Sequence, residues 1–303
     1  MQLIKPTTTH QRKNRDLLIK NALRPEELPF PIAEEYPLVL GQGDNPFSCC
    51  ISISDKIIAH ANFWPRTIVS ESNSIPVALI GNVATDKDYQ GRGYMRKLFQ
   101  GLDQKAREKN IHALILWSDL HKFYQKLGFE SVGTEIRLRY KIKKLSGYIS
   151  GKYQPIDPMS LSERDFKSLL DVRHHVKSTL YRSIEEFKIL TSIPAMGLFI
   201  SFNQSNQIDG YCLIGKGYDM MGVIHEWGSQ NPQHLLQGIA DIGDLLGYEE
   251  IIVLAPAQGS NWIEVLSNQS ASVERQPMAL AKVISDIDKS VLDELFIWGL
   301  DSI

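Results

Sequence analysis

The apolar positions of this chain change period along its length, and the changes mark out elements. Phe47, Cys49, Ile51 and Ile53 alternate with polar neighbours, the pattern of a strand with one buried face. Asp55 and Lys56 read as a tight turn, and residues 57–69 as a second, longer strand. A third apolar run, residues 75–84, follows the turn-rich stretch 70–74. The period then shifts. Met95, Leu98, Phe99, Leu102 and Ala106 fall three and four apart, which predicts an amphipathic helix over residues 94–109. Asn110 ends that helix. Residues 112–117 (HALILW) are short and almost wholly apolar, as buried parallel strands tend to be.

The same order returns in the second half. Residues 196–202 read as a strand, 203–207 as a polar turn, and 208–215 and 221–227 as two more strands. Asn231-Pro232 opens a helix that places Leu235, Leu236, Ile239, Ile242, Leu245 and Leu246 on one face, and Gly247 stops it. Residues 249–254 (EIIVL with a leading Glu) form another short apolar strand. The repeat is one of elements, since residue identity between the halves is poor. Between the copies, residues 146–160 are rich in Gly, Ser and Pro and read as a linker. The expected domains are therefore 1–145 and 161–303.

Composition narrows the function. With 43% hydrophobic and 22% charged residues, the chain has the balance of a soluble globular protein. A formal net charge of −2 argues against a nucleic-acid binder, and Lys141, Lys143 and Lys144 are too few to reverse that. Cys49, Cys50 and Cys212 make no disulfide framework, and no Cys/His spacing suits zinc, so no metal is expected. The first residues lack the apolar core of a signal peptide, and no apolar run reaches the length of a membrane span. A cytoplasmic protein with no membrane partner is the expectation; the sequence says nothing of oligomeric state.

The segment with the most chemistry is residues 83–97, VATDKDYQGRGYMRK. A strand ends near Ala84, and two glycines stand at the entrance to a helix. Glycines let the backbone turn with positive φ and approach a ligand closely. The free N–H groups and positive dipole end of the helix suit a pyrophosphate, and Arg92 adds a cation. A P-loop needs Gly-Lys-Ser/Thr here, but Tyr94 and Met95 follow Gly93. A dinucleotide fingerprint needs a third glycine where Arg96 stands, and Asp119 lies too far along to be its acidic residue. Gly41-Gln42-Gly43 also lacks a third glycine and reads as a plain loop.

These residues resemble the GNAT N-acetyltransferase superfamily, whose signature is Arg/Gln-x-x-Gly-x-Gly/Ala. The signature reads Gln90-Gly91-Arg92-Gly93-Tyr94-Met95 here, with Met95 in place of the small sixth residue. A second segment, Phe123-Tyr124-Gln125-Lys126-Leu127-Gly128-Phe129, is similar to the family's FY-x-x-x-GF. The resemblance covers residues 42–143 by motif and the second half only by order of elements. It implies an α/β fold with a mixed sheet, as two tandem acyl-CoA acyltransferase domains, the first catalytic and the second degenerate and shaping the acceptor site. Val83, Ala84 and Thr85 would bind the pantetheine arm of acetyl-CoA, and residues from Gln90 through Met95 its pyrophosphate. Tyr124 matches the family's general acid.

The general base is open. Asn82 is the one polar residue near the active end of the strand, and Asp119 is a candidate base or else a helix cap. Ile303's carboxylate is a further candidate, since the apolar tail 295–303 is expected to dock. Glu226 and Trp227 offer a wall for a cationic amine acceptor, small-molecule or peptide. The expected reaction is direct acetyl transfer to an amine, without a covalent enzyme intermediate. The alternatives are a non-catalytic acyl-CoA sensor, or an enzyme using a longer acyl or an aminoacyl donor.

Overall fold

The computed structural model describes residues 3–24, 29–41, 46–71, 73–257 and 260–303. Gln42 and Gly43, read above as part of a loop, lie outside them. In chain order the elements are α1 (Thr9–Leu23), α2 (Ile32–Glu35), α3 (Pro37–Leu40), β1 (Ser48–Ile53), β2 (Lys56–Ser70), β3 (Ser74–Thr85), α4 (Tyr94–Glu108), β4 (Ala113–Leu116) and α5 (His121–Gln125). They continue with β5 (Glu130–Lys141), β6 (Gln154–Pro155), α6 (Glu163–Val172), β7 (Ser178–Leu180), α7 (Ile184–Leu190), β8 (Gly197–Phe202), β9 (Ile208–Ile214) and β10 (Val223–Ser229). The last are α8 (Pro232–Leu246), β11 (Glu250–Pro256), α9 (Ser260–Gln269), β12 (Ser272–Val283) and α10 (Lys289–Asp293). This is a mixed α/β fold.

The chain divides into two compact units that are not consecutive stretches. The first comprises residues 1–133, 278–293 and 302–303; the second, residues 134–277 and 294–301. In the first, β1, β2 and β3 pair antiparallel in turn. β3 then pairs β4 in parallel, and β4 pairs the end of β12 antiparallel. The second unit repeats the scheme: β8, β9 and β10 are antiparallel, β10 and β11 parallel, and β11 pairs β5 antiparallel. Thus the strand after each parallel pair in sequence is built into the other unit's sheet.

Helix α4 shows why its sequence folds as it does. Leu98, Phe99, Leu102 and Ala106 are buried, and Ile58, Ala61, Phe63 and Ile80 of the sheet join them in one core. Met95 is partly buried and packs on the same core, so its bulk turns inward. Helix α5 ends in a turn made possible by Gly128, at φ 88°. There Phe129 N–H donates to the Tyr124 carbonyl (3.1 Å), and the Phe129 ring is buried.

In the second unit, Asn231 caps α8 and Gly247, at φ 68°, ends it. Residues 150–153, within the segment read as a linker, wrap the buried Asp241 carboxylate. It accepts from the N–H groups of Ser150, Gly151, Lys152 and Tyr153 at 2.7–3.1 Å. No described helix is long and apolar enough to cross a membrane.

Candidate functional site

The site of the first unit begins where β3 and β4 part. Their parallel pairing covers Val77–Leu79 against Ala113–Ile115, yet β3 continues to Thr85. Beyond Leu79, the main-chain groups along that edge of β3 have no β4 partner. On the other edge, β2 places His60 opposite Ala84 and Asn62 opposite Gly81. Ala61 alone therefore faces both Asn82 and Val83, a β-bulge. Asn82 takes φ 49°, a left-handed conformation that Asn adopts more readily than most residues.

From the end of β3 the chain passes through a short 3-10 turn, Lys87–Tyr89, into the glycine loop. The Gln90 side-chain amide folds back to the Thr85 carbonyl (3.2 Å) and closes the turn. Gly91 and Gly93 have φ 73° and 76°, and a Cβ at either would meet nothing within 4 Å. The left-handed backbone, not crowding, is what calls for glycine there, and the face they present is open. Helix α4 starts at Gly93 with no side-chain cap. Its first turn of N–H groups precedes the first bond of the ladder, Lys97 N–H to the Gly93 carbonyl. Arg92 lies exposed, its guanidinium 5.4 Å from the Tyr89 ring centre. An anion could use this set directly: free N–H groups, a dipole end and a cation.

Tyr124 sits on α5 in a nest of rings, with centroids of Phe123, Phe129 and Phe99 at 5.1, 5.7 and 5.8 Å. Burial pushes its phenol up to about 12, with the Ser118 hydroxyl pulling partly the other way, so it stays protonated at neutral pH. Asp119 is exposed in the turn between β4 and α5. It does not cap α5, whose first residue follows Leu120 without a side-chain cap; Ser118 Oγ instead accepts from Leu120 N–H. Ile303 lies against β3, where a Cβ on Gly81 would stand 2.6 Å from the Ile303 carbonyl carbon.

Asn82 belongs to a buried polar chain that sequence reasoning missed. Its Nδ2 donates to Asn62 Oδ1 (2.9 Å), and Asn62 Nδ2 donates to the Val39 carbonyl (3.1 Å). Its Oδ1 is buried with no partner among the described residues. Its main-chain oxygen lies 2.8 Å from His60 Nδ1. The signal was present: His60 and Asn62 are the polar residues of an otherwise apolar run, IIAHANFW.

The second unit places Glu226 and Trp227 differently. Both are fully buried. Glu226 accepts a two-pronged contact from the buried Arg182 (2.8 and 2.6 Å) and a bond from Tyr211 Oη (2.8 Å). Arg182 also grips Asp301 at 2.9 and 2.6 Å. These carboxylates hold the guanidinium charged well above its ordinary range. Trp227 Nε1 donates to the Leu254 carbonyl (2.9 Å), bridging β10 and β11 where they part. Its indole stacks on Trp262 (5.5 Å) and meets Trp298 edge-on (5.6 Å). Glu226 and Trp227 are thus committed to the interior of their own unit. Among the described residues, no group of three or more His, Cys, Asp or Glu side chains is placed to hold a metal.

Residues 32–132 match the family model described as an acetyltransferase (GNAT) domain. No curated protein matches the sequence. Among solved structures, a probable N-acyltransferase of unknown function from Enterococcus faecalis aligns over 93% of this chain and 72% of its own, at 16% identity and TM-score 0.71. A GCN5-related N-acetyltransferase from Kribbella flavida aligns over the same shares at 13% identity and TM-score 0.65. Saccharomyces cerevisiae N-myristoyltransferase with bound myristoyl-CoA aligns over 95% of this chain and 83% of its own, at 8% identity and TM-score 0.60. At such identities the structures speak for fold alone, a tandem GNAT-like one. Residues 32–132 are thus similar to a GNAT acetyltransferase domain, and the chain shares a tandem GNAT-like fold.

Proposed function

We propose that the first unit binds acetyl-CoA and transfers its acetyl group to an amine. The observation that carries this reading is the uncapped N-terminus of α4 behind Gly91 and Gly93, next to a strand edge that has lost its partner. The residues fit the co-substrate. N–H groups from Gly91 to Met95 would hold the pyrophosphate, with Gln90 bracing the turn and Arg92 adding charge. The free edge of β3 at Val83, Ala84 and Thr85 would pair with the pantetheine amides as an added strand does.

For the chemistry, the acceptor nitrogen attacks the thioester carbonyl, and the carbonyl oxygen gains charge as the tetrahedral centre forms. A main-chain N–H at the Asn82–Val83 bulge is the donor we assign to that oxygen. Tyr124, held protonated by burial, would give its proton to the departing thiolate. The unpartnered Asn82 Oδ1 would accept an N–H of the amine. Asp119, exposed beside α5, is the candidate base. The burial of Glu226 and Trp227 supports a structural role for both.

The test is turnover of acetyl-CoA with a panel of amines and peptides, alongside binding by calorimetry. Tyr124→Phe should bind acetyl-CoA as the wild type does and lose about 10²-fold or more in kcat. Unchanged kcat removes the acid role. Binding without turnover across the panel would favour a CoA-sensing protein, and tighter binding of a longer acyl-CoA a different donor.

A further inference from the structure

Three side chains behind the β3 bulge form a hydrogen-bonded chain whose direction can be worked out. Arg15, on α1, is 2% exposed, and its Nη1 lies 3.1 Å from Ser48 Oγ on β1. Ser48 Oγ lies 3.2 Å from His60 Nε2 on β2, and His60 Nδ1 lies 2.8 Å from the Asn82 carbonyl on β3. The arginine can only donate, and the carbonyl can only accept. So His60 carries its proton on Nδ1, its Nε2 accepts, and Ser48 donates to it while accepting from Arg15. Every bond points the same way, from the cation to the peptide.

That peptide joins Asn82 to Val83, the two residues of the bulge. It is trans, and in a trans peptide the N–H points opposite to the C=O. The Val83 N–H therefore faces away from His60. Pairing with β4 on the other edge of β3 stopped at Leu79. A bond accepted at the carbonyl polarises the peptide and makes its N–H a stronger donor.

We propose that His60 is a positioning residue for acyl transfer: it holds the Asn82–Val83 peptide in its bulged form and, fed by Ser48 and Arg15, strengthens the Val83 N–H toward the acyl carbonyl. The inference rests on the acyl-CoA reading above and adds to it residues on two strands and a helix outside the family's motifs. Burial, with Arg15 nearby, pushes the imidazole down to about 3, against the pull of the Asn82 carbonyl, so it remains neutral through the working range. Neutrality suits the role, because an imidazolium would need Nε2 to donate as well, breaking the order of the chain.

The experiment has a part that needs no turnover. In ¹⁵N-histidine spectra, His60 should appear as the Nδ1–H tautomer and show no titration between pH 8 and 5. Acetyl-CoA should shift the Val83 amide in the wild type and less in Ser48→Ala. The Nε2–H tautomer, or a midpoint near the ordinary histidine value, overturns the proposal even if the protein is an active acyltransferase. If no amine is ever acetylated, the functional reading fails while these spectra still decide the hydrogen-bond chain.

The kinetic part separates positioning from simple packing. His60→Leu should lower kcat by about 10²-fold, the loss reported for a single oxyanion donor, with acetyl-CoA affinity within about twofold of wild type. His60→Gln, whose amide can still donate to Asn82, should recover about tenfold of that loss. Ser48→Ala leaves the His60–Asn82 contact in place and should cost a few-fold in kcat. Folded His60→Leu or Ser48→Ala with unchanged kcat would overturn the idea, as would equal losses in Leu and Gln variants.

Discussion

The two units start a helix after the first strand of a splayed parallel pair, and they finish that start in opposite ways. In the first, β3 outruns its pairing with β4 after Leu79, and the third residue beyond is Asn82, small, polar and left-handed. In the second, β10 outruns its pairing with β11 after Ile224, and the third residue beyond is Trp227. The indole fills the gap and bonds across it to Leu254. The helix ends differ in the same sense. α4 begins behind two glycines with its N–H groups uncapped, while α8 begins behind Asn231, whose Oδ1 accepts from His234 N–H (2.9 Å), and Pro232. One copy keeps donors and space open for a ligand, whereas the other satisfies its own donors and fills its own space. A shared topology can thus carry either an open helix start or a closed one, because a plug and a cap both favour folding.

The largest expected effect comes from pulling the plug. Trp227→Ala should destabilise the protein by about 3–5 kcal/mol, the cost of emptying a large buried ring site, measured by urea unfolding. It should not add a second acyl-CoA site. Calorimetric stoichiometry above one per chain in this variant would mean that the plug alone separates the units. Next in size is the mirror experiment, giving α4 an acidic cap. Gly93→Asp places a carboxylate where the pyrophosphate is expected and should weaken CoA binding by about 100-fold, or about 2.8 kcal/mol. Stability should move little, since the gain of a cap offsets the cost of a side chain at φ 76°. Retained affinity would remove the glycine loop from the site.

What could be read from sequence divides along physical lines. Local periodicity carried β1–β4, β8–β11 and two of the three fifteen-residue helices among the described residues, but not α1: α4 was expected over 94–109 and runs Tyr94–Glu108, and Gly247 ends α8 as expected. The glycine turn before α4 was legible because glycines at a strand-to-helix turn have a local, conformational reason to be there. The exchange of β5 and β12 was not legible, since pairing partners distant in sequence leave no mark on the period of either strand. Nor was the chain from Arg15 to Asn82, whose members are scattered over four elements and look, one at a time, like stray polar residues. The alternation of β10 put Glu226 and Trp227 on opposite faces of a strand, but it could not say that both faces are interior. That follows from Arg182 and Asp301 on one side and from Trp262 and Trp298 on the other.

The smallest effect tests whether the cap, by itself, hides a ligand site in the second unit. Asn231→Ala removes the acceptor of the His234 N–H and should cost about 1 kcal/mol, with Asn231→Gly costing only a few tenths. Binding should not appear in exchange. Pro232 at the first helical position has no N–H, so the uncapped end still lacks a donor that the first turn of α4 has in Tyr94. Ser229 Oγ also lies 3.1 Å from His234 Nδ1 and holds that ring at the helix entrance. Inorganic pyrophosphate at millimolar concentration should therefore raise the melting temperature of Asn231→Ala no more than that of the wild type, since in both it acts only through the loop at Gly91 and Gly93. A pyrophosphate-dependent rise that survives in the double variant with Gly93→Asp would show that the second helix end binds anions once its own side chain is gone. The two units would then differ by the cap alone, with the proline and the indole playing no part in excluding the ligand.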